Sequence, residues 1–187
     1  SSAASDVYKR QVCCFTEWVV DVMEFNFILN RDITLDTIKR IVDLKKEHWP
    51  YDYCSQISWM KHNLYNDDIH YLMCEGKYLI AYLNIVCLDV ESDHNKIRML
   101  GIGNVCVDKK YEHAGIGRKL ITSLNSYFDQ IKANAILLCK PQLVGFYEKC
   151  HWHKISSKMV FINQRKYENE VMIYSSNDLI NSELQDT

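Results

Sequence analysis

The chain has 187 residues, 48% of them hydrophobic and 25% charged, which suits one folded domain with a substantial core and excludes collagen-like, coiled-coil and disordered classes. Its 22 Lys and Arg against 24 Asp and Glu leave a formal charge of -2, so no global basic field exists to gather nucleic acid or anionic lipid. The longest nearly apolar run, 78–88, is interrupted by Asn84 and falls short of the ~20 residues that span a bilayer.

The opening SSAASDVYKRQ, residues 1–11, is polar and aperiodic and reads as a non-native or disordered leader. Residues 12–176 read as one domain, and 177–187 as a flexible tail. MEFNFIL (23–29) predicts a first strand, with alternation too weak to say which face is buried. A helix follows, capped by Thr34, with Leu35, Ile38, Ile41, Val42 and Lys45 at helical spacing and Pro50 as its stop. SQISWMKHNL (55–64) predicts a second helix whose Ile57, Met60 and Leu64 share a face.

Three strand-like runs then form an antiparallel meander, joined by turns at 75–77 and 91–95. GIGRKLITSLNSYFDQIK carries Ile116, Leu120, Ile121, Leu124, Phe128 and Ile131 at three-to-four spacing, the clearest helix in the chain. The wholly apolar AILLC (135–139) predicts a central buried strand, Pro141 starts another helix, and two strands at 152–162 and 170–175 close the order. This is a mixed α/β order with a parallel crossover in the middle, where ligands bind in open sheets.

Eight cysteines, at 13, 14, 54, 74, 87, 106, 139 and 150, include no C-x-x-C pair and lie mostly in apolar runs. They read as reduced and buried, and the protein as soluble and cytoplasmic. Cys106 and Cys139 lack an adjacent histidine and read as core thiols rather than nucleophiles. Cys150, His151 and His153 lack a second ligand pair at metal spacing, so no metal is expected.

YEHAGIGRKLI (111–121) places Gly115 and Gly117 at the junction of a strand and the clearest helix. Such a turn is either a tight connection or a phosphate cradle, since it aims unpaired N–H groups and the positive helix end at one spot. Neither the G-x-x-x-x-G-K-[ST] loop nor a dinucleotide G-x-G-x-x-G is present.

The stretch NVCVDKKYEHAGIGRKLI (104–121) resembles the strand and Q/R-x-x-G-x-G/A turn of the GNAT superfamily of acyl-CoA-dependent N-acetyltransferases. LVGFYEKCHW (143–152) resembles that family's second signature. The resemblance covers residues 23–174 and implies a mixed sheet of about six to seven strands with flanking helices, splayed at the crossover to admit acetyl-CoA as co-substrate. It implies that Val105, Cys106 and Val107 pair with the pantetheine arm. The N–H groups of Glu112, His113, Ala114, Gly115, Ile116, Gly117 and Arg118 hold the diphosphate with help from Lys140, and Tyr147 protonates the departing thiolate. Tyr147 as a plain core aromatic is the alternative. This chain departs from the family at Glu112, which replaces Gln or Arg, at His151, which replaces a helix-ending Gly, and at Gly103, where some relatives carry a general base.

The acceptor pocket is expected between the first two helices, the 91–95 turn and the last strands, with Trp49, Asp52 and Asp93 as substrate-binding residues. Aromatic walls beside carboxylates suit a cationic amine such as a polyamine or an aminoglycoside, and the sequence has a distant resemblance to aminoglycoside 2'-N-acetyltransferases. The expected partner is a small amine, with no nucleic acid or membrane, and the assembly a monomer or homodimer. Two other functions fit: an acyl-CoA sensor without turnover, and a protein or peptide N-acetyltransferase.

Overall fold

The computed structural model describes residues 23–92, 95–155, 161–162, 165–166 and 169–176. Its elements are β1 (Met23–Leu29), α1 (Leu35–Lys46), α2 (Tyr53–Asn63), β2 (Ile69–Glu75), β3 (Tyr78–Ser92), β4 (Asn95–Val107), α3 (Ile116–Ile131), β5 (Asn134–Cys139), α4 (Val144–Glu148), β6 (His153–Ile155), β7 (Phe161–Ile162), β8 (Arg165–Lys166) and β9 (Glu170–Ser175). Seven strands form one sheet in the order β1-β2-β3-β4-β5-β9-β6, and β7 and β8 pair separately. The meander from β1 to β4 is antiparallel, β4 and β5 run parallel, and β9 inserts antiparallel between β5 and β6. The 1–11 leader, residues 12–22 of the predicted domain, the 177–187 tail and Asp93 lie outside the described residues.

Local chemistry sets the element ends. Thr34 caps α1 by accepting from the Thr37 N–H at 3.2 Å. Asp52 caps α2, accepting from the N–H of Ser55 at 2.9 Å and from its hydroxyl at 2.5 Å, so the helix begins at Tyr53, ahead of the predicted start. Gly76 takes a φ of 54° in the tight turn between β2 and β3. No helix among the described residues is long and apolar enough to cross a membrane.

Helices cover both sheet faces. Ile116, Leu120, Ile121, Leu124 and Phe128 of α3 pack with Tyr147, Trp152 and the sheet on one side, while Ile41 and Leu44 of α1 pack with Leu72, Tyr82 and Cys106 on the other. Two expectations are corrected. β5 is an interior strand, paired with β4 and β9 as a central position requires, but it is not wholly buried: it alternates between buried and more open positions, with Leu138 43% exposed. Cys54 and Cys87 are exposed, whereas Cys74, Cys106, Cys139 and Cys150 are buried, all as free thiols.

A buried polar pair locks α3 to the turn after α4: the Asn125 amide donates to the Cys150 carbonyl at 2.7 Å and accepts from the Trp152 indole N–H at 3.0 Å. Asn125→Leu keeps the volume but strands both partners, and we expect a loss of about 2–3 kcal/mol of stability. Urea unfolding measures it; a loss below about 0.5 kcal/mol, within the ordinary range for surface changes, means that the lock is not structural.

Candidate active site

Two breaks in regularity meet in β4. Between the pairs Tyr82↔Cys106 and Asn84↔Gly103, Asn104 and Val105 stand opposite Leu83 alone, a β-bulge. Asn104 adopts a φ of 53°, and its amide donates to Asn84 Oδ1 at 2.6 Å. Parallel pairing with β5 covers Leu100 to Ile102 against Ala135 to Leu137 and stops there. From Gly103 to Val107 the β5-facing edge of β4 has no strand partner among the described residues.

Asp108 N–H donates to the Ile80 carbonyl at 2.8 Å, so Val107 points its own N–H and C=O away from β3 and into this gap. The end of α1 is tied to the same place. His48 Nε2 donates to the Val107 carbonyl at 2.7 Å, and Glu47 Oε2 accepts from the Lys109 N–H at 2.9 Å.

The glycine turn lies at the end of the gap. His113 and Gly115 have φ values of 63° and 79°, and Gly115 serves as the N-cap of α3 with no side-chain hydrogen bond. The N–H groups of Ile116, Gly117 and Arg118 therefore open the helix without a side-chain acceptor. Ile116 buries its side chain in the core, while Glu112, His113, Ala114 and Arg118 are exposed. A Cβ on Gly117 would lie 3.4 Å from Phe146 and 3.6 Å from Val107, so helix start, gap edge and α4 converge. Lys140 is exposed just beyond β5.

Tyr147 of α4 is buried, with its ring edge-on to Phe146 and Trp152 at centroid distances of 5.0 and 6.3 Å. Its hydroxyl has no hydrogen-bond partner among the described residues. Burial, with the Cys139 and Cys150 thiols nearby, raises its pKa well above the ordinary phenol value. His151 ends the helix region at a φ of 66°. Burial pushes the Cys106 thiol up to about 12, so it is protonated near neutrality and unsuited to nucleophilic attack. Among the described residues no three His, Cys, Asp or Glu side chains converge as metal ligands.

On the other side of the bulge lies a cavity of about 350 Å³. The end of α1 and the loop after it supply Lys45, Trp49 and Tyr51; α2 supplies Ser55, Gln56 and Trp59; β4 supplies Asn104. Of the predicted substrate residues Trp49 lines it, Asp52 holds the α2 cap outside its lining, and Asp93 falls outside the described residues. Lys45, Trp59 and Asn104 were not anticipated here. The signal for Lys45 was present in the sequence as a lysine on the apolar face of α1.

A mixed sheet opened at its parallel pair, with a bare helix N-terminus at one end of the gap and a small cavity beside the bulge, is an arrangement that can take two ligands side by side. The sequence matches the acetyltransferase (GNAT) domain family over residues 32–166. The chain belongs to that family and is an acyl-CoA-dependent N-acetyltransferase.

Solved structures share the fold. Escherichia coli ElaA superposes with a TM-score of 0.59 at 16% identity, covering 82% of this chain and 100% of that one. The Bacillus subtilis N-acetyltransferase YlbP, in complex with coenzyme A, gives 0.55 at 17% identity, with coverages of 82% and 97%. A chimera of the spermidine N-acetyltransferase SpeG from Vibrio cholerae and hSSAT gives 0.56 at 18% identity, with coverages of 84% and 98%. No curated protein sequence matches the chain.

Proposed function

We propose that this enzyme moves the acetyl group of acetyl-CoA to the primary amine of a small acceptor seated in the cavity beside Asn104. The observation that carries the reading is the unpaired edge of β4, which opens between the bare start of α3 and that cavity. A strand edge without a partner strand suits an amide-rich arm, so Val105, Cys106 and Val107 take the place of a strand pairing for pantetheine, the Val107 carbonyl being already held by His48. The N–H groups of His113, Gly115, Ile116, Gly117 and Arg118 hold the diphosphate, with the charges of Arg118 and Lys140 added; those of Glu112 and Ala114 already donate to the Lys109 and Tyr111 carbonyls at 3.3 and 3.2 Å, so these two residues shape the turn, and the Glu112 side chain is exposed. YlbP, solved with coenzyme A, has the same fold.

Acetyl-CoA supplies the acetyl group as an activated thioester. The Val107 N–H, free of β3, polarises the carbonyl. The acceptor nitrogen bonds to the carbonyl carbon, the C–S bond breaks, and Tyr147 gives its proton to sulfur. The amine proton leaves to water and the phenol is restored from solvent. Among the described residues no carboxylate or imidazole lines the cavity, so the acceptor enters as its neutral amine.

Of the two carboxylates that suggested a cationic acceptor, Asp52 is held by Ser55 and Asp93 lies outside the described residues. Aminoglycosides and polyamines therefore stand beside amino acids as acceptors to be tested. The free buried thiols favour the cytoplasm as the site of reaction.

Thiol release from acetyl-CoA is the test, with aminoglycosides, polyamines, amino acids and short peptides as acceptors. Release that depends on one acceptor class, with kcat/KM rising toward that amine's own pKa, is the expected result. Calorimetric binding of acetyl-CoA without release for any amine overturns turnover and leaves a binding module.

A further inference from the structure

Lys45 stands out among the cavity side chains. It is 3% exposed at an apolar-face position of α1, and its ammonium lies 4.6 Å from the centroid of the Trp59 ring. It makes no hydrogen bond and no ion pair among the described residues. A buried ammonium loses much of its hydration, and protein interiors ordinarily give it a carboxylate. Here the ring face and the negative end of α1, in whose last turn Lys45 sits, support the charge instead.

Its ionisable neighbours are Cys106 on β4 and His70 on β2. Burial lowers the Lys45 pKa from its ordinary value, with Cys106 acting weakly the other way. His70, whose Nδ1 is 2.8 Å from the Tyr82 hydroxyl, is pressed down to about 4 by burial and then by Lys45. Neither neighbour is an anion near neutral pH.

The side-chain amides and the serine hydroxyl of the lining already have protein partners. The Gln56 amide donates to the Trp49 carbonyl at 3.0 Å, the Ser55 hydroxyl to Asp52, and the Asn104 amide to Asn84. The three N–H bonds of Lys45 remain for a ligand. One ammonium within aromatic walls balances a singly charged carboxylate; a phosphate near -2 asks for a second cation, and a polyamine would bring like charge against it.

We infer that Lys45 selects the acceptor by pairing with a carboxylate on it, so that the enzyme acetylates an amino acid or a compound of that chemistry. This rests on the reading of the cavity as the acceptor site, and the experiment separates the two. Thiol release is measured for α-, β- and γ-amino acids, their carboxamides and spermidine, each corrected for its neutral-amine fraction.

At least one amino acid is expected to exceed its carboxamide tenfold or more in kcat/KM. Lys45→Met, with folding checked by circular dichroism, should erase that preference by raising KM while kcat holds, and Lys45→Arg should keep most of it. Carboxamides or spermidine performing as well as the acids overturns the inference, as does a preference that survives Lys45→Met. An equal fall of kcat on both members of a pair also overturns it, marking Lys45 as a proton-handling group.

If no amine releases thiol, the acetyl-transfer reading fails and binding decides separately for Lys45. Amino acids and carboxamides are then titrated against tryptophan fluorescence with coenzyme A present. Tenfold tighter binding of an acid supports the inference, and equal or absent binding overturns it.

Discussion

Tyr147→Phe lowers kcat by about 100-fold or more, the ordinary scale for losing a positioned proton donor, and leaves the affinity for acetyl-CoA within about twofold, since ~1.4 kcal/mol is needed for a factor of ten. The removed hydroxyl has no hydrogen-bond partner among the described residues, so the substitution strands no protein group. The ring contacts with Phe146 and Trp152 persist. Burial raises the phenol pKa, so the proton stays in place throughout the physiological range and the wild-type rate does not fall on the alkaline side through loss of this group. Steady-state thiol release and calorimetry separate the two quantities. A kcat within threefold of wild type would make Tyr147 a core aromatic and nothing more.

Gly115→Val raises the KM for acetyl-CoA tenfold or more, with a much smaller change in kcat. Gly115 holds a φ of 79° in open space, so its need for glycine is conformational. The left-handed region costs an L-residue about 1–2 kcal/mol, and a branched Cβ adds to that. Relaxing the strain rotates the first N–H groups of α3 away from their common focus. Gly115→Asn, which tolerates this region, should recover most of the affinity. An unchanged KM for the valine variant would show that the turn does not hold the donor.

Much of the fold was legible because local and global signals agreed. The periodicity of α3, the Thr34 cap and the β2–β3 turn each determine their surroundings without distant contacts. β1 was bounded correctly as Met23–Leu29. The start of α2 was placed late because the cap is an aspartate in a loop rich in aromatics, where no apolar spacing precedes it. AILLC concealed its alternation because the exposed Leu138 is as apolar as its buried neighbours.

The site divides in the same way. The glycine turn is contiguous and could be read directly, whereas the proposed acceptor cavity assembles α1, α2 and the bulge of β4 from residues far apart in the chain. The bulge leaves no signature in NVCV itself. The lining of the cavity was hard to read in sequence because a residue that sits near it in the chain, Asp52, acts as a helix cap in space.

The bulge also has a consequence for how this strand counts. Leu100 and Ile102 pack toward the α3 side of the sheet, and so do Val105 and Val107, whereas Cys106 packs toward α1. Even-numbered residues thus face α3 before Asn104, and odd-numbered residues do so after it. A regular strand alternates without such a slip. The extra residue is a phase shift, and the proposed reaction centre lies on its downstream side. Length changes upstream in β4 are therefore quantised: only steps of two keep both valines on the α3 side, while a step of one would exchange their packing with that of the thiol.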